Sequence, residues 1–426
     1  MVFPLMILAF VVGYTAIAME QPLRVNKSAS ALLLAVVMWV LLVTGFPDLR
    51  INQILAEHLG DISGILFFLL GAMTIVELID SHDGFQIITD KIKTTGKVRL
   101  LWQISLITFF LSAVLDNLTT AIIMVALVRN LIGDRKERWF YAGMVVLAAN
   151  SGGVFSPIGD ITTIMLWIGG QITTLNIILK TFIPSAVSLA VPLTVLSFML
   201  KGNVTRPLRN TEENKKTNSP AERNVIFFLG AGLLLFVPVF KSLTNLPPYL
   251  GILLALGILW AVTEIMHKRK NDAYRSMHTV AGALRRIDTS SILFFLGILL
   301  AVAAFQPAGH LEALAKSLDK HIGNLYLINV IIGLLSAVID NVPLVAGAIG
   351  MYGNTFPTDH YFWEMLAYCS GTGGSILIIG SAAGVAVMGM EKIDFIWYVK
   401  KISLWALLGY LAGAAVYWGM TELIFN

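Results

Sequence analysis

The chain has 426 residues, of which 57% are hydrophobic and only 13% charged, and its mean hydropathy is +0.78. A soluble domain would carry about a quarter charged residues, so a polytopic membrane protein with little soluble mass is expected. The formal charge of +4 is no nucleic-acid signal, because the basic residues sit in a few loops and read as topology determinants. A single cysteine, Cys369, excludes an internal disulfide and any cysteine metal cluster and is expected to serve as a small packing residue.

In chain order, Val2–Met19 is predicted as a first span, with no basic region before it that would mark a cleaved signal. Ser28–Phe46 is the second, capped by Ser28 or Ser30. An amphipathic piece at Ile51–Leu59 precedes a third span at Ile62–Ile79, and Phe85, Ile88 and Ile92 suggest a helix lying along the interface. Leu100–Leu131 is too long for a simple crossing and is interrupted at Asp116–Asn117, which fits a re-entrant hairpin. Trp139–Gly170 is a span broken over Asn150–Asp160, and Leu175–Leu200 completes the first half. The only linker is Lys201–Arg223. The plan then repeats: spans at Asn224–Phe240, Tyr249–Met266 and Ser290–Phe305, an amphipathic segment at Leu311–His321, and a hairpin over Asn324–Met351 broken at Asp340–Asn341. A broken span at Tyr361–Met388 and a last span at Ile402–Ile424 close the chain.

Two polar signals carry the repeat. S-A-V-L-D-N-L-T-T at Ser112–Thr120 returns as S-A-V-I-D-N-V-P-L at Ser336–Leu344. N-S-G-G-V-F-S-P-I-G-D-I-T-T at Asn150–Thr163 returns as the Gly-rich run Gly371–Gly384, where Ser381 stands in for Asp160. I-L-F-F-L recurs at Ile65–Leu69 and Ile292–Leu296. Placing the basic linker in the cytoplasm brings the other basic loops inside and leaves Gly170–Leu175 and Met351–His360, which lack Lys and Arg, outside. The expected fold class is therefore all-α and polytopic, with two inverted-topology repeats, each with about five spans, a re-entrant hairpin and a broken helix. The units are residues 1–200, the cytoplasmic linker 201–223 and residues 224–426.

An isolated carboxylate deep in a bilayer must be protonated, paired or reached by water. Asp116, Asn117, Thr119 and Thr120 at one break, and Asn150, Ser151, Ser156, Asp160, Thr162 and Thr163 at the other, offer the oxygen ligands a small hard cation prefers. The same carboxylates can hold a proton, and competition between the two ions is the minimal chemistry of an antiporter. Helix capping is the plainer role for these residues, yet it does not account for carboxylates at matching breaks in both halves. Gly152, Gly153, Gly159, Gly373, Gly374 and Gly380 are expected to permit unwound backbone, with Pro157 breaking the ladder. Glu77 lies near a span end, either on a proton path or facing water; Lys180 and Glu264 are expected to snorkel. The seven histidines map to loops or span ends without metal-ligand spacing, and the Trp and Tyr residues near span ends are expected to be interfacial anchors.

D-N-L-T-T-A-I-I-M followed by N-S-G-G-V-F-S-P-I-G-D-I-T-T-I-M-L-W resembles the NhaD family of bacterial sodium/proton antiporters, as do G-Y-T-A-I-A-M-E and V-N-K-S-A-S-A-L near the start. The resemblance covers essentially the whole chain. It implies cation and proton handling by Asp116, Asn117, Thr119, Asn150, Ser151, Ser156, Asp160 and Thr162, and by Asp340, Asn341, Ser370 and Thr372, with Na⁺ at Asp116, Asn117 and Asp160. It implies Na⁺ and Li⁺ exchanged for H⁺ across the bacterial inner membrane, no cofactor, no catalytic residues, lipid as the surrounding partner, and the dimeric state often found in such transporters. Sodium-coupled carboxylate uptake or arsenite export is the alternative within the superfamily. Negative charge at both hairpin tips argues against an anionic substrate. An intramembrane aspartyl protease would need its two aspartates as a proton-sharing dyad.

Overall fold

The computed structural model describes every residue except Met1, Asp48, Asp90, Lys91, Lys93, 207–218, Arg269 and Asn426. Most of the expected linker lies outside the described residues. Those described form helices and no strand, with one isolated bridge between Gly96 and Asn203. The first helices are α1 (Val2–Ala18), α2 (Glu20–Leu23) and α3 (Lys27–Gly45). The cap of α3 is the Asn26 side chain, which accepts from Ser28 N, rather than Ser28 or Ser30. Next comes α4 (Ile51–Ser81), a continuous helix of 31 residues. The expected amphipathic piece and third span are one element, because a single glycine such as Gly60 costs a helix only about 1 kcal/mol. Within the expected interfacial segment the described residues include α5 (Gln86–Thr89), and Asp90, Lys91 and Lys93 lie outside the described residues.

Then follow α6 (Lys97–Ser112), α7 (Asn117–Leu131), α8 (Arg135–Val154), α9 (Ile161–Ile168) and α10 (Thr174–Met199). Beyond the linker lie α11 (Pro220–Thr244), α12 (Pro248–His267), α13 (Asp272–His278), α14 (Val280–Leu284), α15 (Thr289–Ala303) and α16 (His310–His321). The chain ends with α17 (Leu325–Ser336), α18 (Asn341–Tyr352), α19 (Tyr361–Gly373), α20 (Ala382–Glu391), α21 (Phe395–Tyr398) and α22 (Leu404–Met420). Six described helices are long and apolar enough to cross a membrane, among them α3, α4, α10, α11, α12 and the continuous stretch Phe395–Ile424.

Packing divides these helices into two groups. In one, α3 lies between α1 and α15, while α4 touches α11, α12 and α15. In the other, α8 is the centre: α6, α7, α10, α19 and α20 all pack against it, and α22 lies along α10. All of α8 from Tyr141 to Val154 is buried, which explains why its sequence shows no polar stripe. α9 and α18 bridge the groups, touching α4 and α15 respectively.

The tyrosines correct one expectation. Tyr368, Tyr398, Tyr410 and Tyr417 are core residues whose hydroxyls donate to the carbonyls of Tyr410, Ser375, Val330 and Tyr361 at 2.8, 2.8, 2.8 and 2.9 Å. A buried phenol needs such a partner, and each bond ties one helix to a neighbour.

Candidate functional site

In three of the four breaks an aspartate caps the helix that follows, and in the fourth Ser381 does so. Asp116 accepts from Thr119 N at 2.7 Å and from Thr119 Oγ1 at 2.5 Å. Asp160 accepts from Thr162 N at 2.8 Å and Thr162 Oγ1 at 2.6 Å. Asp340 accepts from Val342 N at 3.1 Å. An extended residue with a short acceptor side chain satisfies the exposed amides at a helix start, so the capping expected from sequence is observed at all three. Capping leaves lone pairs over, since a carboxylate has about four.

Those of Asp160 organise the site. Its Oδ2 accepts from Asn117 Nδ2 at 2.6 Å, and its Oδ1 from Asn341 Nδ2 at 3.5 Å. Asn117 Nδ2 also donates to Asn150 Oδ1 at 3.2 Å, and Asn150 Nδ2 to Ser381 Oγ at 3.0 Å. Residues from both breaks of the first half and both of the second thus join one network at a buried carboxylate. Asp116 and Asp340 lie within Coulombic reach of Asp160. Because both asparagine amides donate to Asp160, their carbonyl oxygens remain available to a cation.

Other residues proposed from the sequence turn elsewhere. Ser151 Oγ meets Ser188 Oγ at 3.0 Å, and Ser156 Oγ accepts from Ile158 N at 3.3 Å within its own turn. Ser370 and Thr372 donate to the carbonyls of Ala367 and Tyr368, at 3.3 and 2.5 Å. Thr163 bonds the Asp160 carbonyl at 2.8 Å. Sequence reading undervalued Ser381, whose hydroxyl is the second half's contribution at this point.

The glycines divide: Gly159, Gly374 and Gly380 lie in non-helical backbone as expected, whereas Gly152, Gly153 and Gly373 lie in intact helix. α8 stays helical through Asn150–Gly153, and the break begins only after Val154. Gly152 and Gly373 allow contact rather than unwinding: a Cβ on either would come within 2.1 Å of Phe109 O or 2.0 Å of Gly333 O. Ser112 Oγ donates to Ala149 O at 2.6 Å, and Ser336 Oγ to Ser370 O at 2.6 Å, so the same two contacts hold each helix pair against its broken helix.

Charges outside the site are mostly paired. Glu77 bonds Arg286 at 2.5 Å and Glu264 bonds Arg275 at 3.1 Å. Lys180 lies 3.4 Å from Glu364, a fully buried carboxylate that also accepts from Asn176 at 2.8 Å, and donates to the Asp359 carbonyl in the loop at 3.2 Å. Glu391, also buried, holds Arg129 and Arg138 at 2.5 and 3.0 Å, fastening the ends of α7, α8 and α20. Three histidines scattered in sequence meet where α4, α12 and α13 end. His82 Nε2 is 3.4 Å from His267 Nε2, and the His278 ring centroid lies 5.0 Å from that of His82. Burial pushes the His82 imidazole down to about 4, so it packs there as a neutral ring.

The profile of the citrate transporter family, CitMHS, matches residues 14–373. Sodium/proton antiporter 1 of Arabidopsis thaliana is 49% identical over 99% of this chain and 73% of its own length. Sodium/proton antiporter 2 of the same plant is 48% identical over 97% of this chain and 98% of its own. The Na(+)/H(+) antiporter NhaD of Alkalimonas amylolytica is 30% identical over 98% of this chain and 90% of its own. With a family profile spanning both breaks of the first half and the second helix pair, and similarity running nearly end to end, the chain belongs to the citrate transporter family and, within it, to the NhaD-type sodium/proton antiporters.

Proposed function

We propose that this protein is a secondary antiporter that exchanges Na⁺, and Li⁺ with it, for H⁺. The observation that carries the reading is the network at Asp160, where a buried carboxylate receives amides from Asn117 and Asn341, one from each helix break, with Asp116 and Asp340 close by. Carboxylate, amide and hydroxyl oxygens suit a hard monovalent cation. In this reading Na⁺ takes Asp116, Asn117 and Asp160 as ligands, and a proton takes its place on one of the carboxylates. Glu77, paired with Arg286, stays the candidate for the proton's route at the inner end of α4. Citrate transport, the activity in the family's description, is disfavoured by three acidic side chains at the breaks, with Asp160 in Coulombic reach of the other two.

The α6–α7 and α17–α18 pairs serve as re-entrant hairpins, entering from opposite sides, in two inverted repeats joined by the linker. The recurring serine contacts support that duplication. The asymmetry of the basic loops supports a cytoplasmic linker. The test is proton movement in inside-out vesicles on addition of Na⁺ or Li⁺. Asp160→Asn should insert normally and lose the response, whereas a variant with near-normal exchange would show that Asp160 only caps α9. The apparent KM for Na⁺ should rise as pH falls, about tenfold per unit where one proton competes for the site.

A further inference from the structure

The two hairpin tips differ in what faces them. Beside Asp116 the wall is apolar, built from Phe68, Leu69 and Met73 of α4 with Leu234 and Ile252. Beside Asp340 stand Tyr14 and Lys27 instead. Asp340 N donates to Tyr14 Oη at 2.8 Å, and Lys27 lies within Coulombic reach of the carboxylate. We propose that Lys27 is the fixed counter-charge of Asp340, a positioning residue that, with Tyr14, seats the second tip against α1 and α3 and sets how tightly the exchange site holds its cation.

Geometry fixes the lysine. It opens α3, and the residues on either side of it are bound: Ser28 Oγ donates to Ser290 O at 2.6 Å, and Ser290 Oγ to Asn26 Oδ1 at 3.0 Å. These bonds anchor the start of α3 to the start of α15. The Lys27 ammonium lies 4.6 Å from the centroid of the buried Phe294 ring of α15, and α15 is the helix on which α18 rests. The cation is thus held by backbone anchoring and a ring face; among the described residues it makes no ion pair, and the nearby Glu20 carboxylate accepts from Lys27 N at 3.2 Å. Other groups around Asp340 are Tyr14 and, at the start of α9, Asp160; α15 itself bears no charged residue.

Three carboxylates around one point form a strong trap for a cation, and a trap that never releases does not transport. One fixed positive charge at the second tip lowers that attraction without entering the network at Asp160. Among the described residues the first tip shows no equivalent, so the two breaks are electrostatically unequal although their sequences match.

The inference rests on the exchange reading, and its test separates the two. Na⁺ dependence of exchange in proteoliposomes, at one fixed pH, is compared for the unaltered protein, Lys27→Gln, Lys27→Arg and Tyr14→Phe. Lys27→Gln should lower the apparent KM for Na⁺ by about three- to tenfold, in the range of one partly screened unit charge, and should slow the maximal rate. Lys27→Arg should restore both values, and Tyr14→Phe should change the rate more than KM. Na⁺-dependent thermal stabilisation of purified protein supplies a readout that survives loss of transport. There Asp340→Asn should weaken Na⁺ binding, and adding Lys27→Gln should recover part of it. An unchanged KM in Lys27→Gln, or a double variant no better than Asp340→Asn, overturns the proposal. Absence of Na⁺-dependent exchange in the unaltered protein overturns the antiport reading instead.

Discussion

At Asn117 one side chain connects two others, Asp160 and Asn150, and the distances rank its importance. Its amide is 2.6 Å from Asp160, whereas that of Asn341 is 3.5 Å away. Hydrogen bonds to a charged acceptor contribute about 1.5–3 kcal/mol, falling steeply with distance. Asn117→Ala should therefore raise the apparent KM for Na⁺ by at least about tenfold, and Asn341→Ala by only about two- to threefold. A Na⁺ titration of the vesicle response measures both. Equal effects would mean that the second half contributes to cation binding as strongly as the first. The motifs made these residues legible as candidates, since an Asp-Asn pair inside an apolar run has few structural uses. Which hydroxyls join the network was not legible: Ser151, Ser156, Ser370 and Thr372 have the right chemistry but are spent on neighbouring backbone or on Ser188. Only the rotation of α8 and α19 about their axes decides that.

At the scale of elements, the breaks at Asp116 and Asp340 were readable because a capping aspartate marks where a helix starts. The break in α8 was read too early because Gly-Gly suggests unwinding, whereas packing against α6 demands small residues in an intact helix. The correction has a measurable consequence. Gly152→Ala and Gly373→Ala would drive a methyl into the carbonyls of Phe109 and Gly333. Overpacking of this kind costs about 1–3 kcal/mol, more where backbone must move, so both variants should show lower thermal stability in detergent and lower folded yield. Gly257, in α12, has open space around its Cβ position, and Gly257→Ala should be neutral or slightly stabilising. Equal tolerance at all three positions would refute the close-contact role. The histidine meeting at the ends of α4, α12 and α13 was invisible in the sequence because its members come from distant segments with no common period.

For the whole molecule the question is orientation. Glu391 binds α20 to α7 and α8 through Arg129 and Arg138, so the exits of the first helix pair and the second broken helix lie at one end. Across the molecule, Thr173 N donates to Asp359 at 2.6 Å and Asp359 N to the Gln171 carbonyl at 2.8 Å, joining the two loops that lack basic residues. Two lysines reach this second cluster from neighbouring helices, Lys180 donating to the Asp359 carbonyl at 3.2 Å and Lys241 to the Trp167 carbonyl at 2.6 Å, so the inverted arrangement rests on the loops and is a question for labelling. Cysteines introduced one at a time at Lys201 and at Asn354 should be labelled by an impermeant thiol reagent from opposite sides, Lys201→Cys from the cytoplasm only. Cys369 is buried and should give little background. Labelling of both positions from the same side would place the hairpins on one face and overturn the proposed inverted repeat.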